Sequence, residues 1–432
     1  MLDEQFFGNA DFYTYLTDNF IPVHAVRGEE MGDALYDKYV VNATPTVVLA
    51  NANGKEIDRL VGYGPPAEEF KTRIEDTYKG ENTLENLVAA YKSNPDDLKS
   101  VFKLAAKYNG NYMRDEAAEL FNIVLDRKDE AKKVMVPYED TGETVSVYEH
   151  ALFLKGDLDT FIAEFPNSAL SKEAYTRLAR TFAMGRDVAK SSVFFTKAMK
   201  RFSDDPGILS SYVQFSARSK TDVKNGLKAA EKLMAMPQDR PVRGLTRNYA
   251  ELLALNGDTE KLDKVFGKAY AESKLDSPSD LYDYAGFWIE KNKNLDDAFA
   301  KLRIMSGLND SYRSRAATLF MQAGNEQGAL DVYGPDFIGA FTDDAGMLNS
   351  YASFWGRQEK NLESAMEAAL AAVKLDKRPY YYDALSLIYW KSGKFEEAIE
   401  AEKEAISLLP EDSRQITRYE QRIEEIKADM KK

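Results

Sequence analysis

Leu281-Tyr282-Asp283-Tyr284-Ala285-Gly286-Phe287-Trp288 recurs as Leu348-Asn349-Ser350-Tyr351-Ala352-Ser353-Phe354-Trp355. The likeness continues past both copies, with Asn294-Leu295 aligning on Asn361-Leu362 and Ala298 on Ala365. A weaker copy runs Leu209-Ser210-Ser211-Tyr212-Val213-Gln214-Phe215. Apolar residues fall at helical spacing throughout, and the period has room for two helix-turn-helix units. A helix pair cannot bury its apolar face alone. The pairs are therefore expected to stack into one core and a right-handed superhelix with a concave surface. Tyr284, Phe287, Trp288, Tyr351, Phe354 and Trp355 keep one register in both copies, which reads as core packing rather than a binding stripe.

Near the C-terminus Leu385, Tyr389, Gly393, Ala398, Ala405 and Pro410 stand at fixed offsets. Ala398 and Ala405 are small where two helices would cross closely, Gly393 lies in the turn, and Pro410 stops the second helix. This unit resembles a tetratricopeptide repeat. Leu178, Ala179, Phe182, Phe195 and Ala198 fit the same pattern. So do Tyr249, Ala250, Leu253, Gly257, Phe266 and Ala269, and again Ala317, Phe320, Gly324, Ala329 and Tyr333. Ala105, Tyr108, Ala117 and Phe121 suggest an early, looser unit. The pattern weakens around Tyr148, Leu152 and Gly156, and the loop from Pro137 to Gly142 is expected to interrupt the array. The ~34-residue period predicts about eight or nine helix pairs. The charged stretch from Arg414 to Lys431 reads as a capping helix.

A chain of 432 residues exceeds one ordinary domain. Its net charge of −14 argues against a broad nucleic-acid surface or docking on an anionic membrane. The absence of cysteine removes disulfides, thiolate nucleophiles and cysteine-held metals. His24 and His150 are the only histidines, too few for a histidine-rich metal site. No apolar run approaches a membrane span, and Met1-Leu2-Asp3-Glu4-Gln5 has neither a basic start nor an apolar stretch. A soluble chain is expected, cytoplasmic by default, with export depending on sequence upstream.

The first 78 residues differ in character. A helix is predicted from Phe6 to Asn19, a strand over Phe20-Ile21-Pro22-Val23-His24-Ala25-Val26, and a helix from Glu30 to Tyr39. Thr46 to Leu49 reads as a short buried strand. Ala52-Asn53-Gly54-Lys55 is a turn, Glu56 to Tyr63 the return strand, and Pro66 opens a helix. With Ala43-Thr44-Pro45-Thr46, Gly54-Lys55-Glu56 and Arg59-Leu60-Val61-Gly62-Tyr63, this region resembles the second half of a thioredoxin-like domain. The resemblance implies a cis Thr44–Pro45 bond. It also implies that the backbone of Ala43, Thr44 and Pro45 can pair with an extended peptide. In that family a Cys-x-x-Cys pair faces the proline, and a central strand lies between the segments at 20–26 and 46–49. Neither is in this sequence. A start set too far downstream, a degenerate domain, and another element filling the gap are all open.

The expected fold class is mostly α: a solenoid of tetratricopeptide-like repeats with a partial thioredoxin-like α/β module at its N-terminus. The expected parts are 1–80 (module), 83–135 (early helix pair), 142–412 (repeat array) and 413–432 (charged cap). The first helix of each pair would line the groove, which places Arg177, Arg180, Arg247 and Arg315 where they can point inward. Such a row could bind a carboxylate tail or acidic peptide; arginines on solvated helix faces are the plainer reading. Glu139, Asp140 and Glu143 lack the spacing of a calcium loop. No cofactor, metal or catalytic residue is expected. The predicted function is a non-catalytic scaffold for protein or peptide clients, with no nucleic-acid partner and no membrane insertion. The alternative is a thiol-disulfide oxidoreductase whose Cys-x-x-Cys segment is missing from this chain, with the repeats recruiting clients.

Overall fold

A computed structural model describes residues 10–26, 30–62, 67–78, 80, 82–138, 142–237, 242, 244–410, 413 and 415–431. The expected helix start at Phe6, the residues Tyr63 and Pro66, and the acidic pair Glu139 and Asp140 lie outside them. The chain divides into two compact units, one ending at Ser211 and one beginning at Tyr212. Among the described residues no helix is long and apolar enough to cross a membrane.

The first unit opens with α1 (Ala10–Asn19), α2 (Glu30–Lys38), β1 (Thr46–Ala50), β2 (Glu56–Val61) and α3 (Ala67–Tyr78). β1 and β2 pair antiparallel, from Thr46 opposite Val61 to Ala50 opposite Glu56. The connecting turn is held by Asn51, whose side-chain oxygen accepts from the amides of Asn53 (3.0 Å) and Lys55 (3.1 Å). Gly54 takes a φ of 70°, a left-handed conformation open to glycine. Phe12, Leu49, Leu60, Phe70 and Ile74 form a small core.

The strand expected over 20–26 is absent. These residues have no ladder, and Ile21 and Val23 are 92% and 62% exposed. The local pattern suits a strand, but a strand exists only when a neighbour satisfies its backbone groups, and among the described residues the sheet here holds only β1 and β2.

Next come α4 (Leu84–Ser93), α5 (Leu98–Gly110), α6 (Arg114–Asp126) and α7 (Lys128–Ala131). They are followed by β3 (Met135–Pro137), β4 (Thr144–Ser146), α8 (Val147–Lys155), α9 (Leu158–Glu164), α10 (Ser171–Ala183) and α11 (Val188–Arg201). The stretch read as an interrupting loop is thus flanked by a small hairpin, in which Val136 opposes Val145 and both valines are buried. Strands of three residues are too short to show a period. One continuous core runs from Leu87 to Ala174.

α12 (Pro206–Ser219) crosses the division. The second unit continues with α13 (Val223–Ala235), α14 (Leu245–Asn256), α15 (Thr259–Phe266), α16 (Lys268–Glu272), α17 (Pro278–Glu290) and α18 (Leu295–Leu308). A 3₁₀ turn (Asp310–Tyr312) leads to α19 (Arg313–Gln322), α20 (Glu326–Asp331), α21 (Phe337–Ala340), α22 (Ala345–Gln358) and α23 (Leu362–Leu375). α24 (Pro379–Lys391), α25 (Phe395–Ser407) and α26 (Gln415–Met430) end the unit.

Short turns force consecutive helices to lie antiparallel and pack as pairs, and Asp or Asn caps start many of them. Asp258 accepts from the Lys261 amide (3.1 Å), Asn325 from Gly328 (2.8 Å) and Asp344 from Met347 (2.9 Å). Each cap satisfies an amide that the first helical turn leaves unpaired. The recurring aromatics are interior: Tyr284, Phe287 and Trp355 are fully buried, and Trp288 and Phe354 nearly so. Ala398 and Ala405 are also fully buried at the crossing of their pair.

Two turn types serve these pairs. One uses a left-handed glycine, as at Gly257, Gly324 and Gly393. The other places two non-glycine residues at positive φ, two apart: Lys220 and Asp222, Asn292 and Asn294, Glu359 and Asn361. Asn and Asp adopt this region readily, whereas Lys and Glu do so at a cost. Replacing Lys220 by Gly should therefore stabilise the second unit by about 0.5–1 kcal/mol in urea melts. Glu359→Gly should gain less, because Glu359 also pairs with Lys391 at 2.5 Å and an exposed ion pair contributes up to ~1 kcal/mol.

Candidate peptide-binding surfaces

The loop before β1 is braced from within. The Thr46 hydroxyl donates to the Ala43 carbonyl (2.6 Å), and the Gly62 amide donates to the Pro45 carbonyl (2.9 Å). The Thr44–Pro45 bond is cis. Thr44 is exposed, while Ala43 and Pro45 are half-buried.

β2 connects this region to the first helices that follow. Asp58 is 1% exposed, accepts the Arg59 amide at 2.8 Å, and receives Lys107 of α5 as an ion pair. Lys55 pairs with Glu85 of α4. Arg59, 3% exposed, turns the other way. Its guanidinium grips both Glu56 oxygens (2.6 and 2.7 Å) and donates to the carbonyls of Tyr39 (2.6 Å) and Val40 (3.2 Å) just past α2. The sheet is thereby fixed to α2 and to α5 by charge-assisted bonds, which are stronger than neutral ones.

The four arginines singled out by repeat register have different surroundings. Arg177 on α10 is half-buried, lies over the Phe153 ring (4.7 Å) and donates to the Phe153 carbonyl (3.2 Å). Arg247 on α14 reaches the next pair, bonding Glu290 at 2.9 Å and approaching Asp283 at 3.6 Å, both on α17. Arg180 on α10 and Arg315 on α19 are exposed, and neither forms an ion pair among the described residues. Arg315 lies over the Tyr312 ring at 5.5 Å. Arg177 and Arg180 belong to the first unit and Arg247 and Arg315 to the second.

Tyr380 is 46% exposed and Tyr381 is buried, so the tyrosine run divides between surface and core. His150 packs at a tilt against Phe102 (5.0 Å between centroids) and edge-on against Tyr138 (5.7 Å). Burial holds its imidazole down at about 4, so it is a neutral packing group at ordinary pH.

Sequence reading gave no sign of a cleft of about 780 Å³ in the second unit, lined by Asp263, Lys268, Tyr284, Asn294, Asp296 and Asp297. The Tyr284 hydroxyl donates to Asp297 (2.7 Å); burial, reinforced by that bond, pushes its pKa up. Lys301 reaches Glu272 (2.6 Å) and Asp297 (3.4 Å). The one available signal was the pair Asn292 and Asn294, which marks the left-handed turn at the cleft's edge.

A thioredoxin-like region followed by tetratricopeptide-like helix pairs is the class this architecture defines. A family model for a thioredoxin-like domain matches residues 1–78. No curated protein matches the chain. Among solved structures, a tetratricopeptide repeat protein from Parabacteroides merdae is 17% identical, covering 61% of this chain and 98% of that one, with a TM-score of 0.29. The maize pentatricopeptide repeat protein PPR10 is 13% identical over 80% of this chain and 57% of that one, with a TM-score of 0.41. Human IFIT1, solved as a dimer with PPP-AAAA, is 15% identical over 79% and 88%, with a TM-score of 0.29.

Proposed function

We propose that this chain is a non-catalytic scaffold that holds protein or peptide segments. On this reading residues 1–80 form the module, 83–135 and 142–412 the repeats, and 413–432 the cap. One observation carries the reading: the repeats use their aromatics and Arg247 internally and leave Arg180 and Arg315 as exposed cations with no carboxylate partner among the described residues. Exposed guanidiniums on a helical framework favour carboxylate-bearing segments, which they can grip bidentately. The Ala43–Thr44–Pro45 loop would add a second contact for extended backbone. Disulfide exchange needs a thiolate, and this chain has no cysteine, so an insulin-reduction assay on it should be blank.

The test is fluorescence anisotropy with acidic peptides selected by display. Arg180→Glu should weaken peptides held by the first unit, and Arg315→Glu those held by the second, each about tenfold, which corresponds to ~1.4 kcal/mol. A Lys220→Gly control should bind normally. Peptides that bind equally to both charge reversals, or no selected peptide at all, would remove the arginines from the reading.

A further inference from the structure

Glu402 lies on α25 among Glu397, Glu400 and Glu404, yet it alone of these is fully buried. Among the described residues neither of its carboxylate oxygens has a partner in good hydrogen-bonding geometry. It sits where α24, α25 and α26 meet. From α24 it faces Asp383 and Ser386, and from α26 Arg418, Tyr419 and Arg422. None of these forms an ion pair with it among the described residues. The Ser386 hydroxyl donates to the Ala398 carbonyl (2.9 Å). Arg418 is bonded to Asp383 at 2.7 Å, and Arg422 approaches Asp383 at 4.0 Å and Glu425 at 3.5 Å. These two arginines are thus directed at other carboxylates, and that of Asp383 repels a charge on Glu402.

α26 rests on this joint. Tyr419 and Ile426 are almost wholly buried and Ile423 nearly so. Near its far end Asp429 accepts the Trp390 indole N–H at 3.1 Å. A neutral carboxyl is tolerable in such a place. An ionised one without donors is not, because an unpaired buried charge is strongly unfavourable. Undocking α26 would give the charge water.

We propose that α26 is a proton-controlled latch, docked on the last helix pair while Glu402 keeps its proton and released when that carboxyl ionises. Burial first, and the charge of Asp383 second, hold the Glu402 carboxyl up at about 8, with Ser386, Arg422 and Arg418 pulling the other way. The docked state binds the proton more tightly than the released state, where the group returns to the ordinary 4.5. Docking is therefore strongest below pH 4.5, weakens as the pH climbs, and levels off above about 8.

Hydrogen exchange of the full chain, corrected for intrinsic rates, tests this. Opening of residues 415–431 should rise roughly 10- to 100-fold between about pH 6 and pH 9, while α17 and α18 keep their protection. Glu402→Gln should flatten the rise. Glu402→Met, which carries no titrating or polar group, should flatten it equally and serves if the glutamine variant folds poorly. Wild-type protection that does not change with pH, or a rise of the same size in both variants, would overturn the latch.

Discussion

Arg59→Met should cost the N-terminal module about 3–5 kcal/mol, the usual result of removing one partner from a buried ion pair. The arginine is 3% exposed and bonds both Glu56 on β2 and the carbonyls of Tyr39 and Val40 just past α2. Without it the Glu56 carboxylate, 17% exposed, is left without its ion-pair partner among the described residues, and the carbonyls of Tyr39 and Val40 lose their donor. The module has little to set against that loss, since among the described residues its buried core is five side chains and its sheet two strands. Proteolysis and hydrogen exchange should show residues 31–41 opening first, with α5 and α6 still protected. A double variant, Arg59→Met with Glu56→Leu, should regain most of the loss, because it removes the stranded charge as well. If the single and double variants melt alike, the ion pair does not hold α2.

The features legible in the sequence were those set by local periodicity. Trp288 and Trp355 announce the repeat because burial of a helix face imposes its own spacing. Gly393, Ala398 and Ala405 mark a turn and a close crossing that few other residues permit. Hidden features depend on partners distant in the chain. Phe20 to Val26 has the composition of a strand, but composition carries no information about whether a neighbouring strand is present. Arg247 sits at a register that could face a groove, yet Asp283 and Glu290 on the adjoining pair take its charge. Glu402 was invisible for a related reason: in Phe395-Glu396-Glu397-Ala398-Ile399-Glu400-Ala401-Glu402, its type suggests a solvated face while its position points inward. Lys220 and Glu359 conceal the second turn type, since neither residue normally signals positive φ.

Trp355→Ala should destabilise the second unit by about 3–5 kcal/mol, the range for emptying a buried aromatic site. The ring is fully buried and packs against Phe354 (4.9 Å between centroids), Tyr333 (6.2 Å) and Tyr351 (6.3 Å). Few small shifts can refill such a volume, because α24 already presses on the neighbouring turn: a Cβ on Gly356 would lie 2.9 Å from Ile388. Phenylalanine separates packing from polarity. The Trp288 indole N–H donates to the Phe266 carbonyl at 3.0 Å, whereas the Trp355 N–H has no partner in good hydrogen-bonding geometry among the described residues. Trp288→Phe leaves a buried carbonyl unpaired, at a cost of about 1–3 kcal/mol beyond the lost volume. Trp355→Phe removes an N–H that was already unsatisfied, and that removal offsets part of its cavity. Urea melts followed by far-UV circular dichroism should therefore rank Trp355→Phe as milder than Trp288→Phe, although the two tryptophans occupy equivalent places in the repeat. Equal losses would mean that both indole nitrogens are satisfied in solution.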